Sequence, residues 1–134
     1  MNTKNMKMIA IQDTIHLGGT SREIVEKFQQ LVSVGIVDIE NIRLITINYD
    51  TSSGEIEKAP VRIYFANGLA LYLNLTAGYR GSGPSDLCKV LELCNIDFDR
   101  NDILSKQDVV DIKYTIGDIN WQFCLFDNSY VYSF

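Results

Sequence analysis

Two prolines and one histidine are all the chain has of either residue in 134 positions, and it contains no uninterrupted apolar run of the roughly eighteen residues a membrane helix needs. The shortage of proline, beside 46% hydrophobic and 22% charged residues, excludes a disordered, polar-tract composition and predicts a chain that folds. The lone imidazole, His16, would have to serve any Ser-His or Cys-His catalytic pair, yet "DTIHLGG" holds neither a nucleophile elbow nor HExxH, so its reading is structural. Cysteine is scarce too. Cys88, Cys94 and Cys124 are odd in number and lack CxxC spacing, which leaves buried free thiols in a reducing cytoplasm as the expectation, with no zinc site. Basic charge is in deficit: a net charge of -5 and a pI near 4.7 exclude a protein that coats duplex nucleic acid, which needs clustered Lys and Arg to displace counterions. The opening "MNTKNMKMIAIQDTIHLGGT" has two lysines and an apolar patch broken by Gln12, Asp13 and Thr14, so neither a signal peptide nor a membrane partner is expected. Repeats and low-complexity tracts are absent as well, and residues 1–134 read as one domain.

What is present reads as α+β, with a mainly antiparallel sheet and two amphipathic helices. A first strand is expected around Met6 to Ile11. In "SREIVEKFQQLVSVG", Ile24, Val25, Phe28, Leu31 and Val32 repeat at helical spacing; Thr20 and Glu23 form a capping box, and Gly35 suits a left-handed stop. The stretches "IRLITINYD", "VRIYFA" and "LALYLNL" are rich in β-branched and aromatic residues and predict strands, with "TSSGE" as a turn after the first. Asn67-Gly68 reads as a two-residue type I′ turn, which sets Ile63 opposite Tyr72 and Val61 opposite Asn74 on one face, and Tyr64 opposite Leu71 and Arg62 opposite Leu73 on the other. Neither face is wholly polar, so cover by helices on one side and by another subunit on the other is expected. "SDLCKVLELCN" predicts a second helix with Leu87, Val90, Leu91 and Cys94 on one stripe; "VVDIKYTIG" and "WQFCLF" read as strands, and "YVYSF" alternates aromatics to the last residue.

One loop concentrates chemistry. "GYRGSGPSDL", Gly78 to Leu87, lies between a strand and a helix beginning at Pro84 or Ser85. Free N–H groups at a helix start, with glycines that let a backbone approach, suit phosphate oxygens; Arg80 adds a bidentate cation and Tyr79 a flat ring. The candidate ligand-binding residues of the loop are Tyr79, Arg80, Gly81, Ser82, Gly83 and Ser85. The same glycines also suit a tight turn with Ser85 as cap, and both readings stand at this point. The loop matches neither GxGxxG nor a P-loop, and Asp86 in the first helical turn opposes an anion.

This loop, following the hairpin "FANGLALYLNL", resembles small phage-encoded anti-defence proteins, among them the Thoeris anti-defence sponges that sequester cyclic ADP-ribose-type signals. The resemblance covers the hairpin, the loop and the second helix. It implies a homo-oligomeric binder that encloses a cyclic nucleotide signal without cleaving it, with phosphates held by arginines, Arg80 first and then Arg22 and Arg62, and with Tyr79 stacking.

"DFDRNDILSKQD", Asp97 to Asp108, starts like a calcium loop but has Asp102 where the turn glycine belongs and Asp108 where a bidentate Glu belongs. It reads as a solvated acidic loop. No metal, cofactor or catalytic residue is assigned. The sequence thus points to a non-enzymatic binder of a phosphate-bearing, nucleotide-like small molecule. The alternative is an acidic inhibitor or immunity-type protein with a protein partner, using acidic surface and exposed aromatics as its interface; the tail aromatics Tyr130, Tyr132 and Phe134 could stack bases but read as well as one strand face of a core.

Overall fold

The computed structural model describes residues 5–49, 59–106, 111–117 and 119–134. In chain order these form β1 (Met6–Leu17), α1 (Ser21–Ser33), a 3-10 turn at Ile39–Asn41, β2 (Ile42–Asn48), β3 (Val61–Phe65), β4 (Leu69–Leu73), α2 (Ser82–Leu93), α3 (Arg100–Leu104), β5 (Asp111–Thr115) and β6 (Asn120–Ser133). The "TSSGE" turn and the end of the acidic stretch at Asp108 lie outside the described residues. The fold is α+β, one six-stranded sheet of order β5-β2-β3-β4-β1-β6. The pairings β2–β3, β2–β5 and β3–β4 are antiparallel; β1 runs parallel to both its neighbours.

The helices occupy one face of the sheet. Ile24, Phe28 and Leu31 of α1 and Leu87, Val90 and Leu91 of α2 pack with Ile45, Ile47, Val61, Ile63, Phe65, Leu71 and Leu73 of the strands in one buried cluster. Alternation along β3 places Val61, Ile63 and Phe65 in that core and turns Arg62 and Tyr64 to the other face. The α1 start is built as the sequence implies: Thr20 Oγ1 accepts from the Glu23 N–H, the Glu23 carboxylate accepts from the Thr20 N–H, and Gly35 ends the helix at φ +83°.

The hairpin register differs from the expected one by a residue. Only Gly68 of the turn has positive φ, at +89°, and its N–H donates to the Phe65 carbonyl, so the loop is the three-residue type, Ala66 to Gly68. Val61 therefore pairs with Leu73, Arg62 with Tyr72, Ile63 with Leu71 and Tyr64 with Ala70. The slip puts all the aliphatic residues on the helical face and brings the Arg62 guanidinium 4.4 Å above the Tyr72 ring on the other.

Strand β1 is twice as long as expected, and a bulge explains why alternation hid it. The Gln12 and Asp13 N–H groups both donate to the Gly68 carbonyl, and the register with β6 jumps between Ile11 and Asp13. Two consecutive residues opposing one reverse the alternation. Asp13, Ile15 and Leu17 face the helices, whereas Ile11, although buried, lies outside the helical core. The β6 partners follow: Phe123, opposite Ile9, stacks on Tyr64 of β3 with ring centres 4.7 Å apart. The β1–β6 ribbon thus bends back over the face that the helices leave bare, the cover the sequence reading assigned to another subunit.

The ends of the sheet also meet. Although β5 and β6 are its opposite edges, only residues 116–119 separate them. So short a link curls the sheet into a barrel left open along one seam, between β5 and the first half of β6, with the helices on its convex side. Two smaller corrections complete the fold. Helix α2 starts at Ser82, two residues before Pro84 and three before Ser85, because Pro84 at its third position loses no helical hydrogen bond there. Cys124 is exposed; Cys88 and Cys94 are buried, and all three are free thiols.

Candidate functional site

The seam is a chemically varied concavity. Its floor is Leu44 and Thr46 of β2 with Tyr64 of β3; Lys113 and Thr115 of β5 form one wall, and Asn120, Trp121, Gln122 and Phe123 of β6 the other, around a cleft of about 240 Å³. Two cross-strand rows lay this out. Lys113, Thr46, Arg62, Tyr72 and His16 follow one another across the concave face, and Thr115, Leu44, Tyr64, Ala70 and Thr14 form the next row.

Cations gather here although the chain is acidic. Trp121 lies between the Lys7 ammonium, 5.8 Å from its ring centre, and the Arg43 guanidinium at 5.7 Å; its indole N–H donates to the Ile116 carbonyl at 2.9 Å, which fixes the ring at the end of β5. Arg43 is itself held by the carbonyls of Glu40 and Ile42. With Arg62 and Lys113, four cationic side chains face the curl. Asp111 is the carboxylate on the same face of β5, two residues from Lys113. Low-dielectric walls around such a group focus its field on an incoming anion.

The cleft lining supplies rings, hydroxyls, amides and an ammonium, and among the described residues it includes no carboxylate, imidazole or thiol. Tyr72 beside it is held as a neutral phenol: burial, and then the neighbouring Tyr64, push its pKa up against the opposing pull of Arg62. His16, 5% exposed, sits edge-on to Tyr72 at 5.1 Å, and its Nδ1 has no hydrogen-bond partner among the described residues.

The glycine-rich loop stands at the other end of the molecule's chemistry, on the helical face. Tyr79 and Arg80 are exposed; Gly81 is the N-cap of α2 and donates no side-chain cap, and Ser82, Gly83 and Ser85 fall in the first turn. The glycines have a packing cause. The Tyr79 hydroxyl meets Thr76 Oγ1 at 2.6 Å, and this folds the ring across the helix start; a Cβ on Gly81 would lie 2.7 Å from that ring, and one on Gly83 would lie 2.3 Å from Thr76 Oγ1. Arg22 is brought to the same end, paired with Glu26 at 3.4 Å, whereas Arg62 lies across the sheet in the concave face. The predicted residues therefore divide between two places, and only Arg62 belongs to the cleft.

Asp86 is committed to the fold. Buried between the helix starts, it accepts from the Ser21 hydroxyl at 2.5 Å and pairs with Lys89 at 3.1 Å. Burial is the largest single influence and opposes its ionisation, but Ser21, Lys89 and Arg22 together outweigh it and hold the carboxyl below its ordinary 3.8. A depressed folded pKa means that this stabilisation is present above the ordinary carboxylate range and is lost as pH falls through the folded value. Asp86→Asn is expected to cost about 1–3 kcal/mol near neutral pH, and denaturant titrations should show the gap from the parent protein closing below about pH 4. In the acidic stretch, Asp99 Oδ1 caps α3 by accepting from the Asn101 N–H, and Arg100 pairs with Glu92 at 2.9 Å. Among the described residues no cluster of acidic, His or Cys side chains has the geometry to hold a metal.

Comparison with family models, with curated proteins and with solved structures finds no match to this chain. None of its described helices is long and apolar enough to cross a membrane. The cleft is thus read on its own chemistry. Sequence spacing missed it because its residues come from four strands and a bulge; the nearest signal was the polar-aromatic mixture of "NWQF" beside "IKYT".

Proposed function

We propose that the protein binds, and does not convert, a small anionic ligand bearing a flat ring, of the nucleotide class, in the seam between β5 and β6. The observation that carries this reading is Trp121 and Tyr64 in one cleft with Lys113, an ammonium with no ion-pair partner among the described residues. Tyr64 gives one face to Phe123; an aromatic face left open stacks a nucleobase for about 1–3 kcal/mol, and an ammonium takes a phosphate as a charge-assisted hydrogen bond. Thr46, Thr115 and Asn120 are placed for sugar or base edges. At about 240 Å³ the cleft falls below the roughly 300–1,000 Å³ of drug-sized sites. It therefore takes a single nucleoside unit, and the remainder of a larger cyclic signal lies outside. With no carboxylate, imidazole or thiol in the described lining, the protein acts by holding its ligand, as a sponge does, and we place that action in the cytoplasm, where its free thiols stay reduced.

Trp121 is the sole tryptophan, so its fluorescence reports on the cleft alone. Titration with mono-, di- and cyclic nucleotides is expected to quench or shift that emission saturably for at least one of them, more weakly as salt is raised. A flat response across the panel would remove the nucleotide reading.

A further inference from the structure

The second half of β6 is the most apolar uncovered surface among the described residues. Two helices, each about 10 Å across, roof about four strands spaced at about 4.8 Å, and a six-stranded sheet outruns them. Tyr130, Val131, Tyr132 and Phe134 are 66%, 62%, 47% and 57% exposed, and beside them stand Val34 and Ile36 at the end of α1, at 69% and 49%. Tyr132 and Phe134 line an open, mostly apolar hollow of about 350 Å³ with Ile15, Ile36 and Leu69, with Asp13 at its polar side, and Phe134 borders a second of about 420 Å³ with Leu17, Leu31 and Val34, with Lys27 beside them. Surface of this kind marks an interface.

The backbone is equally unfinished. Phe134 donates its N–H to the His16 carbonyl and accepts from the Gly18 N–H, so residue 134 spends both its polar groups on β1. By strand alternation Val131 and Ser133 point theirs away from β1, along the free edge of the sheet. Natural edge strands carry charges, prolines or early twists to block pairing. From Ile119 to Phe134 the sequence has one charged residue, Asp127, and no proline.

We infer that this edge pairs with the same edge of a second copy, antiparallel about a twofold axis through Tyr132, so that Val131 and Ser133 exchange backbone hydrogen bonds with the copy's Ser133 and Val131. Two features select a second copy over another protein. The chain carries a net charge of -5, yet from Ile119 to Phe134 the only charged residue is Asp127, and Asp13 is the one acidic residue lining the hollow among the described residues: a basic partner finds little here to grip, and two acidic copies meet along this strand with little repulsion. The surface is also self-complementary. Tyr130 and Tyr132 already stack on the helical face with centres 6.5 Å apart, and the twofold sets Tyr130 opposite the copy's Phe134 and Tyr132 opposite itself, continuing one aromatic row across two sheets. The pairing is independent of what the cleft binds, because the seam lies along the other half of β6.

Light scattering coupled to size exclusion reads this on the intact chain. The parent protein is expected as a dimer; a monomer at every concentration, or an open-ended series of aggregates, would overturn the proposal. Tyr132→Glu and Tyr132→Lys place like charges opposite each other on the axis, and each should weaken self-association at least about tenfold while circular dichroism stays that of the parent. Mixed in equal amounts, the two variants should recover a dimer, since residue 132 then meets its opposite charge. Variants that remain dimeric, or a mixture that stays monomeric, would exclude the Tyr132 axis.

Discussion

Phe28→Ala is expected to lower the thermal unfolding midpoint by about 10–20 °C, the largest single loss of stability foreseen here. Phe28 is fully buried, on the face of α1 that meets Ile24, Leu31 and the sheet. Emptying such a site removes the transfer free energy of the ring and leaves a cavity that rigid strands cannot close, together about 3–5 kcal/mol of the roughly 5–15 kcal/mol that holds a domain of this size folded. Alanine is the better helix former by some tenths of a kcal/mol, so helix propensity works slightly against the loss and cannot cause it. Calorimetry checks this, and a drop of only a few degrees would mean that α1 does not seat on the sheet as described.

Lys113→Ala should weaken the nucleotide affinity read by Trp121 fluorescence by about tenfold to a hundredfold, and leave the unfolding midpoint almost unmoved. The side chain is exposed on β5 and makes no ion pair among the described residues, so removing it changes stability by no more than about 0.5 kcal/mol. In the proposed complex it is the group that meets phosphate, and a charge-assisted hydrogen bond is worth about 1.5–3 kcal/mol. Trp121→Ala is the less clean partner experiment, because the indole N–H also ties β6 to Ile116. An unchanged affinity in Lys113→Ala would take the anion out of the seam.

Helix α1 was legible because its signals are local: a capping box at Thr20 and Glu23, apolar residues at helical spacing, and Gly35 at the stop all act within a few residues of one another, whereas the short α3 lies in a stretch that read as an acidic loop. The strands were legible as strands but not as a sheet. "NG" at Asn67 and Gly68 suits two turn types, and the one-residue difference between them decides whether Arg62 faces Leu73 or Tyr72. Which is adopted depends on the Gly68 carbonyl receiving both Gln12 and Asp13 from a strand more than fifty residues earlier in the chain, information no window around the turn contains. The same bulge reverses the alternation in β1 and buries Thr14 and His16 in a stretch whose polar residues had suggested a break.

The glycine-rich loop is a different case. Its sequence left a tight turn and a ligand loop both open, and at Gly81 and Gly83 a Cβ would meet the ring of Tyr79 and the hydroxyl of Thr76 over the helix start. Local sequence reports that a Cβ is forbidden; it does not report what forbids it. The cleft between β5 and β6 left no comparable mark, because it exists only once both ends of the sheet have curled together.

The most direct measurement of the central claim is a nitrogen-proton correlation spectrum recorded as adenosine 5′-monophosphate, or the strongest ligand of the fluorescence panel, is added. Trp121 gives the single indole cross-peak of the protein, already set apart by its hydrogen bond to Ile116. Saturable shifts of that peak together with the amides of Thr46, Tyr64, Thr115 and Gln122, while Gly78 to Ser85 stay still, are the predicted result. Shifts confined to Gly78 to Ser85 and Arg22, with the indole peak unmoved, would contradict the seam as the binding site and return the ligand to the helix start.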